Sequence, residues 1–132
     1  MPYSSLSYND EPMKSILIVD DDEMIVELLA LGFQGIGFKV LKAENGLDAW
    51  NLFNREDIDF VLTDLQMPGM NGTELSHRIR NQSPSTTIAV MSGGETNAAS
   101  ELLRDRVADY FFPKPFSIKI ICKVFVAEAQ YA

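Results

Sequence analysis

The sequence predicts an α/β domain: a parallel sheet with helices on both faces. Three observations carry this. Five short apolar runs alternate with five segments whose apolar residues recur at helical spacing. The inner runs, Ile16-Leu17-Ile18-Val19, Phe60-Val61-Leu62 and Ile88-Ala89-Val90-Met91, lack the polar alternation of a half-solvated strand. Polar residues then close the runs: Asp20-Asp21, Asp64, Ser92 and Lys114. An open α/β sheet binds ligands at that carboxyl edge, and right-handed crossovers leave few topologies.

Residues 1–13 are polar, with Pro2, Pro12 and several serines, and are expected to form a disordered tail before a domain over residues 14–130. Ser15 to Val19 is the first strand. The helix after Asp20-Asp21-Asp22-Glu23 carries Ile25, Leu28, Leu29 and Phe33 as its inward face. Acids in its first turn suit the positive end of the helix dipole, Asp22 and Glu23 serving as caps, and Gly35 and Gly37 close it. Phe38 to Ala43 alternates loosely and reads as a strand near an edge. Asn45-Gly46 turns into a helix over Leu47 to Phe53, with Ala49, Leu52 and Phe53 inward.

Asp59 to Thr63 is the central strand. A fully buried strand cannot hide a charge, so Asp64 is expected to emerge at its end, before a loop bearing Pro68, Gly69 and Gly72. Gly72 to Asn81 is a helix with Leu75 and Ile79 one turn apart. Thr86 to Met91 is a strand ending in Ser92-Gly93-Gly94. Thr96 to Arg106 is a helix with Ala99, Leu102 and Leu103 inward. Asp109 to Phe112 is a short strand ending in Pro113-Lys114-Pro115, and the last helix runs from Ser117 to Gln130.

The 132 residues carry a net charge of -8, so the chain lacks the basic face that phosphate neutralisation requires, and direct nucleic-acid binding is not expected. The single cysteine, Cys122, allows no internal disulfide and no Cys-based zinc site, and fits a reducing cytoplasm. No apolar run approaches the ~20 residues of a membrane span, and no signal peptide is legible. The expectation is a cytoplasmic protein.

Three carboxylates gathered at one edge repel. A like-charged pair at ~4 Å costs about 4 kcal/mol at an effective dielectric of ~20, and a dication removes that cost. Oxygen-only ligands suit Mg²⁺ or Mn²⁺ rather than zinc. Lys114 has only donors, so its use is to neutralise a carboxylate or hold an incoming phosphoryl oxygen. Ser92 offers a hydroxyl beside two glycines that let backbone N–H groups approach an anion. Any one of these residues could be a cap or a turn former. Carboxylate nucleophile, dication, lysine and hydroxyl in this order make a phosphoryl-transfer site.

The motifs Ile18-Val19-Asp20-Asp21, Thr63-Asp64-Leu65-Gln66-Met67-Pro68-Gly69-Met70-Asn71-Gly72, Met91-Ser92 and Lys114-Pro115-Phe116 resemble those of the receiver domain of two-component response regulators. The likeness runs from about Lys14 to Gln130. It implies a (βα)5 flavodoxin-like three-layer sandwich with strand order 2-1-3-4-5. It implies a phosphorelay signalling module, not an enzyme in the ordinary sense, which catalyses only its own Mg²⁺-dependent phosphorylation and dephosphorylation. Asp64 would accept a phosphoryl group from a phosphohistidine on a sensor histidine kinase or phosphotransfer protein. Asp21, Asp64 and the backbone carbonyl of Gln66 would bind Mg²⁺ directly, and Asp20 mainly through water. Lys114 would hold a phosphoryl oxygen, Ser92 would move inward with the phosphoryl group, and the Lys114-Pro115 bond would be cis. A downstream effector or output domain would read the switched face.

Three positions depart from the commonest pattern. Phe111 stands where the switch aromatic is often Tyr, with Tyr110 beside it. Gly93 and Gly94 follow Ser92 where larger side chains often screen the site, which together with Gln66 predicts an altered phosphate lifetime. Val107 stands where glycine is frequent.

On the last helix Ile118, Ile121, Cys122, Phe125 and Ala129 form the expected core stripe. Ile120, Val124, Ala127 and Tyr131 form a second stripe, a contact face for an effector or for a homodimer through the last helix. His77 is expected to be exposed and Trp50 to be packing. A haloacid dehalogenase-type phosphatase would need a second Asp where Gln66 stands, and a flavin carrier would place phosphate against Asp20-Asp21-Asp22-Glu23. A phosphorylation-independent pseudo-receiver is the remaining alternative.

Overall fold

The computed structural model describes residues 13–94 and 97–131. The tail expected over residues 1–13 falls, but for Met13, outside the described residues. Five strands and five helices alternate: β1 (Ser15–Val19), α1 (Glu23–Gly35), β2 (Lys39–Ala43), α2 (Gly46–Arg55), β3 (Phe60–Asp64), α3 (Gly72–Gln82), β4 (Thr87–Ser92), α4 (Asn97–Arg104), β5 (Tyr110–Pro113) and α5 (Ile118–Tyr131). The strands form one sheet in the order β2-β1-β3-β4-β5, every pair parallel. The expected architecture and strand order are both present.

The register aligns the strand ends. Val19 pairs with Thr63, Asp64 with Met91, and Ser92 with Pro113. Asp20, Asp64, Ser92 and Lys114 therefore converge on one edge, Asp64 and Ser92 as the last residues of β3 and β4 and Asp20 and Lys114 as the first residues after β1 and β5.

Alternation along the strands builds two cores. Ile16, Ile18, Phe60, Leu62, Ala89 and Met91 face Leu29, Phe33, Ile121 and Phe125 of α1 and α5. Leu17, Val19, Val61, Ile88 and Val90 face Ala49, Leu75, Ile79 and Leu102 of the other three helices. Side-chain oxygens begin three helices: Asp22 accepts from the Met24 N–H, Asn45 from Asp48 and Asn71 from Glu74, each satisfying an orphan donor.

Two inward assignments do not hold. Leu28 is 49 % exposed and Leu103 37 %. The face of α1 that packs is Val26, Leu29, Ala30 and Phe33, and on α4 it is Ala99 and Leu102. Both helices carry apolar residues on more than one side, so periodicity alone allowed a face rotated by one position. Helix α4 also stops at Arg104, before the expected Arg106, because Arg106 takes a left-handed conformation at φ 59°.

Candidate functional site

Asp20 follows β1 directly and is fully buried. Its Oδ1 accepts from the Asp22 N–H at 2.9 Å, and its backbone N–H donates to the Ala43 carbonyl at 3.2 Å. Asp64 is the last residue of β3. It lies at the carboxyl end as expected, yet it does not emerge into solvent: only 5 % of it is exposed. Asp21 is exposed at the mouth. Carboxylate oxygens of Asp20, Asp21 and Asp64 all lie within 4.8 Å of one another.

Lys114 reaches this cluster from the far end of the sheet. Its Nζ stands 2.9 Å from Asp20 Oδ2 and 3.4 Å from Asp64 Oδ2. Its backbone N–H donates to the Ser92 carbonyl at 2.9 Å, which seats the β5 end on β4. The Lys114-Pro115 bond is cis, as expected. Burial pulls the ammonium toward neutrality, but Asp20 and Asp64 outweigh burial and hold its pKa above the ordinary lysine value. Burial, and then the Asp20 charge, push the Asp64 carboxyl above its ordinary value, against the pull of Lys114.

Three carboxylates face one ammonium. That excess of negative charge, presented only through oxygens, fits a hard dication such as Mg²⁺ or Mn²⁺. The Gln66 N–H approaches Asp64 Oδ1 at 3.4 Å, so the backbone after β3 curls back around the carboxylate.

Ser92 is buried, and its Oγ accepts from the Gly94 N–H at 3.3 Å. Phe111 is half-buried and packs in the α2–α4 core, whereas Tyr110 lies on the opposite face of the sheet, its ring stacked on Phe112. Burial and the Glu128 carboxylate push the Tyr110 phenol up. Ile120 is 58 % exposed, while Val124 is half-buried. His77 is exposed, and Trp50 packs as expected, stacked on Phe53 with the Arg78 guanidinium 5.8 Å above it.

Glycines hold the acidic loop in ways that sequence reading did not identify. A Cβ on Gly72 would overlap the Asp64 carbonyl oxygen, and one on Gly46 would overlap that of Met70. Helix α3 can start against the back of Asp64 only because residue 72 has no side chain. A Cβ on Gly94 would come within 3.2 Å of the Gln66 carboxamide, which lies over that glycine. In the sequence these glycines signal turns; the contacts that require them are tertiary.

The family described as response regulator receiver domain matches residues 16–125. The chain is 33% identical over 107 residues to the autoinducer 1 sensor kinase/phosphatase LuxN of Vibrio campbellii, which covers 81% of this chain and 12% of that protein. It is 32% identical over 104 residues to the response regulator GtcR of Aneurinibacillus migulanus, covering 79% of this chain and 43% of that one. The chain thus spans less than half the length of either relative. A CheY-like receiver domain structure from Methanospirillum hungatei superposes with a TM-score of 0.85 at 23% identity, covering 91% of this chain and 96% of that one, a likeness of fold.

Proposed function

The chain belongs to the response regulator receiver domain family, and from that premise we propose that Asp64 accepts a phosphoryl group from a phosphohistidine on a sensor histidine kinase or phosphotransfer protein. The observation that carries this is the meeting of Asp20, Asp21, Asp64 and Lys114 at the carboxyl ends of three strands of the sheet, β1, β3 and β5.

An Asp64 carboxylate oxygen forms the new bond to phosphorus as the bond to the histidine nitrogen breaks. Phosphoryl transfer needs mainly positioning and charge stabilisation. Lys114 has an ammonium within reach of Asp64 and can turn to a phosphoryl oxygen. The Ser92 hydroxyl, beside the Gly94 N–H, supplies a second donor. Asp20, Asp21, Asp64 and the Gln66 carbonyl would hold Mg²⁺ or Mn²⁺. That ion, when bound, neutralises the charge of the carboxylates and of the incoming phosphoryl oxygens.

Phosphorylation converts one negative charge into nearly two and adds acceptor oxygens. Ser92 and Lys114 gain interactions only in that state, which gives the switch its differential energy. Phe111 has no hydroxyl, so its part in the switch is steric. We assign effector contact to the side of α5 bearing Ile120 and Val124. The lack of disulfide chemistry supports a cytoplasmic setting, and among the described residues no helix is long and apolar enough to cross a membrane.

The test is incubation with a small acyl phosphate and Mg²⁺, read by intact mass. We expect one phosphoryl adduct in the wild type and none in Asp64→Asn or in chelator. A folded, Mg²⁺-binding protein that takes no phosphoryl group from small donors or from histidine kinases would replace this reading with a phosphorylation-independent one.

A further inference from the structure

We propose that Thr63 is a positioning residue for the acceptor carboxylate: its buried hydroxyl fixes the peptide unit that joins Asp64 to Leu65, and through it the start of the loop that carries Gln66. The proposal rests on the reading of Asp64 as the phosphoryl acceptor.

Thr63 is fully buried in β3. In register it pairs with Val19 on β1 and Val90 on β4, so the row across the sheet reads Val-Thr-Val. Strand alternation sets Thr63 on the face of Val61 and Leu65, toward the core under α2, α3 and α4, where Val19 and Val90 also lie. The shape of that row is met by valine on both sides. A hydroxyl among apolar side chains costs free energy unless it is bonded. The Thr63 hydroxyl is bonded: it donates to the Asp64 carbonyl at 2.9 Å.

That bond falls where the sheet stops holding the chain on one side. Strand β1 pairs with β3 only as far as Thr63, whereas β4 continues to Asp64. The peptide unit just past the last β1 pair is then held from three directions. Its carbonyl accepts from Thr63. Its N–H, that of Leu65, donates to the Met91 carbonyl at 2.9 Å. The Gly72 backbone lies against it, and the Gly72 N–H donates to the next carbonyl, that of Leu65, at 3.1 Å. The plane of this unit sets ψ of Asp64 and φ of Leu65. Those two angles bring the Gln66 N–H back to within 3.4 Å of Asp64 Oδ1. Thr63 therefore touches neither the phosphoryl group nor a cation. It narrows the orientations open to the carboxylate that does, and transfer rates depend steeply on such placement.

The experiment compares the full-length wild type with Thr63→Val, which keeps the β-branched shape and removes the hydroxyl, and Thr63→Ser, which keeps the hydroxyl. Each variant is checked for folding by circular dichroism. Three quantities are read: Mg²⁺ affinity by titration calorimetry, the rate of phosphorylation against acyl phosphate concentration, and amide hydrogen exchange at Leu65 and Gln66 in chelator. In Thr63→Val we expect Mg²⁺ affinity and the maximal rate each to fall roughly three- to tenfold, the scale of one hydrogen bond. The half-saturating donor concentration should stay unchanged, and exchange at Leu65 should quicken. Thr63→Ser should restore all three toward wild type. A Thr63→Val protein that matches wild type in all three, whatever its stability, would overturn the proposal and leave the hydroxyl a structural role alone. So would a Thr63→Ser protein that behaves as Thr63→Val, since packing of the methyl group would then be the cause. A wild type that takes no phosphoryl group would instead count against Asp64 as acceptor, and amide exchange in chelator would still decide whether Thr63 holds the loop.

Discussion

A carboxylate at the end of β3 has little water left to solvate it. Burial and the neighbouring Asp20 hold the Asp64 carboxyl above its ordinary value of 3.8, so the folded protein keeps that proton to higher pH than the unfolded chain. The resulting contribution to stability is present in acid and is lost as pH rises from the unfolded value through the raised folded one. At neutral pH without metal the ionised Asp64 is a net cost. Asp64→Asn should therefore stabilise the chelated protein, and added Mg²⁺ should narrow the gap, both read as Tm. Lys114→Met should act oppositely, costing roughly 2–3 kcal/mol in urea unfolding. It strands the buried Asp20 charge, and the loss stays below that of a fully buried pair because the ammonium keeps some water. These residues were legible in the sequence because each follows an apolar run. The overlap of a Gly72 side chain with Asp64, and the seat of Gln66 over Gly94, were not legible, since both join segments through space.

Helix ends show where local reading succeeds and where it stops. At the end of α1 the Gly37 N–H donates to Gln34 and the Phe38 N–H to Phe33, with Gly37 left-handed at φ 94°. At the end of α4 the Arg106 N–H donates to Leu103 and the Val107 N–H to Leu102, with Arg106 at φ 59°. Both are Schellman caps, each sealed by an apolar contact: the rings of Phe38 and Phe33 lie 5.2 Å apart, and Val107 and Leu102 share one core. Glycine announces the first cap, whereas the second rests on an arginine whose Cβ is strained there. Val107, at a position where glycine is frequent in the family, is the buried anchor here. Arg106→Gly should raise stability by about 0.5–1 kcal/mol and Gly37→Ala should lower it by about 1 kcal/mol in urea titrations. The exposed Leu28 and Leu103 mark the same boundary: apolar spacing identifies a helix, and packing decides which of its sides is covered.

Across the whole molecule the sheet separates two cores, and the α1–α5 side is aromatic. Phe33, Phe38, Phe60 and Phe125 link α1, the residue before β2, β3 and α5 with ring centroids 5.2 to 6.0 Å apart. Phe125→Ala should cost about 3–5 kcal/mol and lower Tm while leaving a single calorimetric transition, because one sheet serves both cores. The tie between Lys114 and Asp20 spans 94 positions of the chain. During synthesis β1, β2 and β3 leave the ribosome before β4 and β5, and β1 lies between the other two in the sheet. Pairing them brings Asp20, Asp21 and Asp64 together while the lysine that offsets them is still unmade. A nascent chain halted before residue 114 thus holds three acids with no built-in counter-charge, so the cell's free Mg²⁺ would steady the half-made domain before it has any signal to carry.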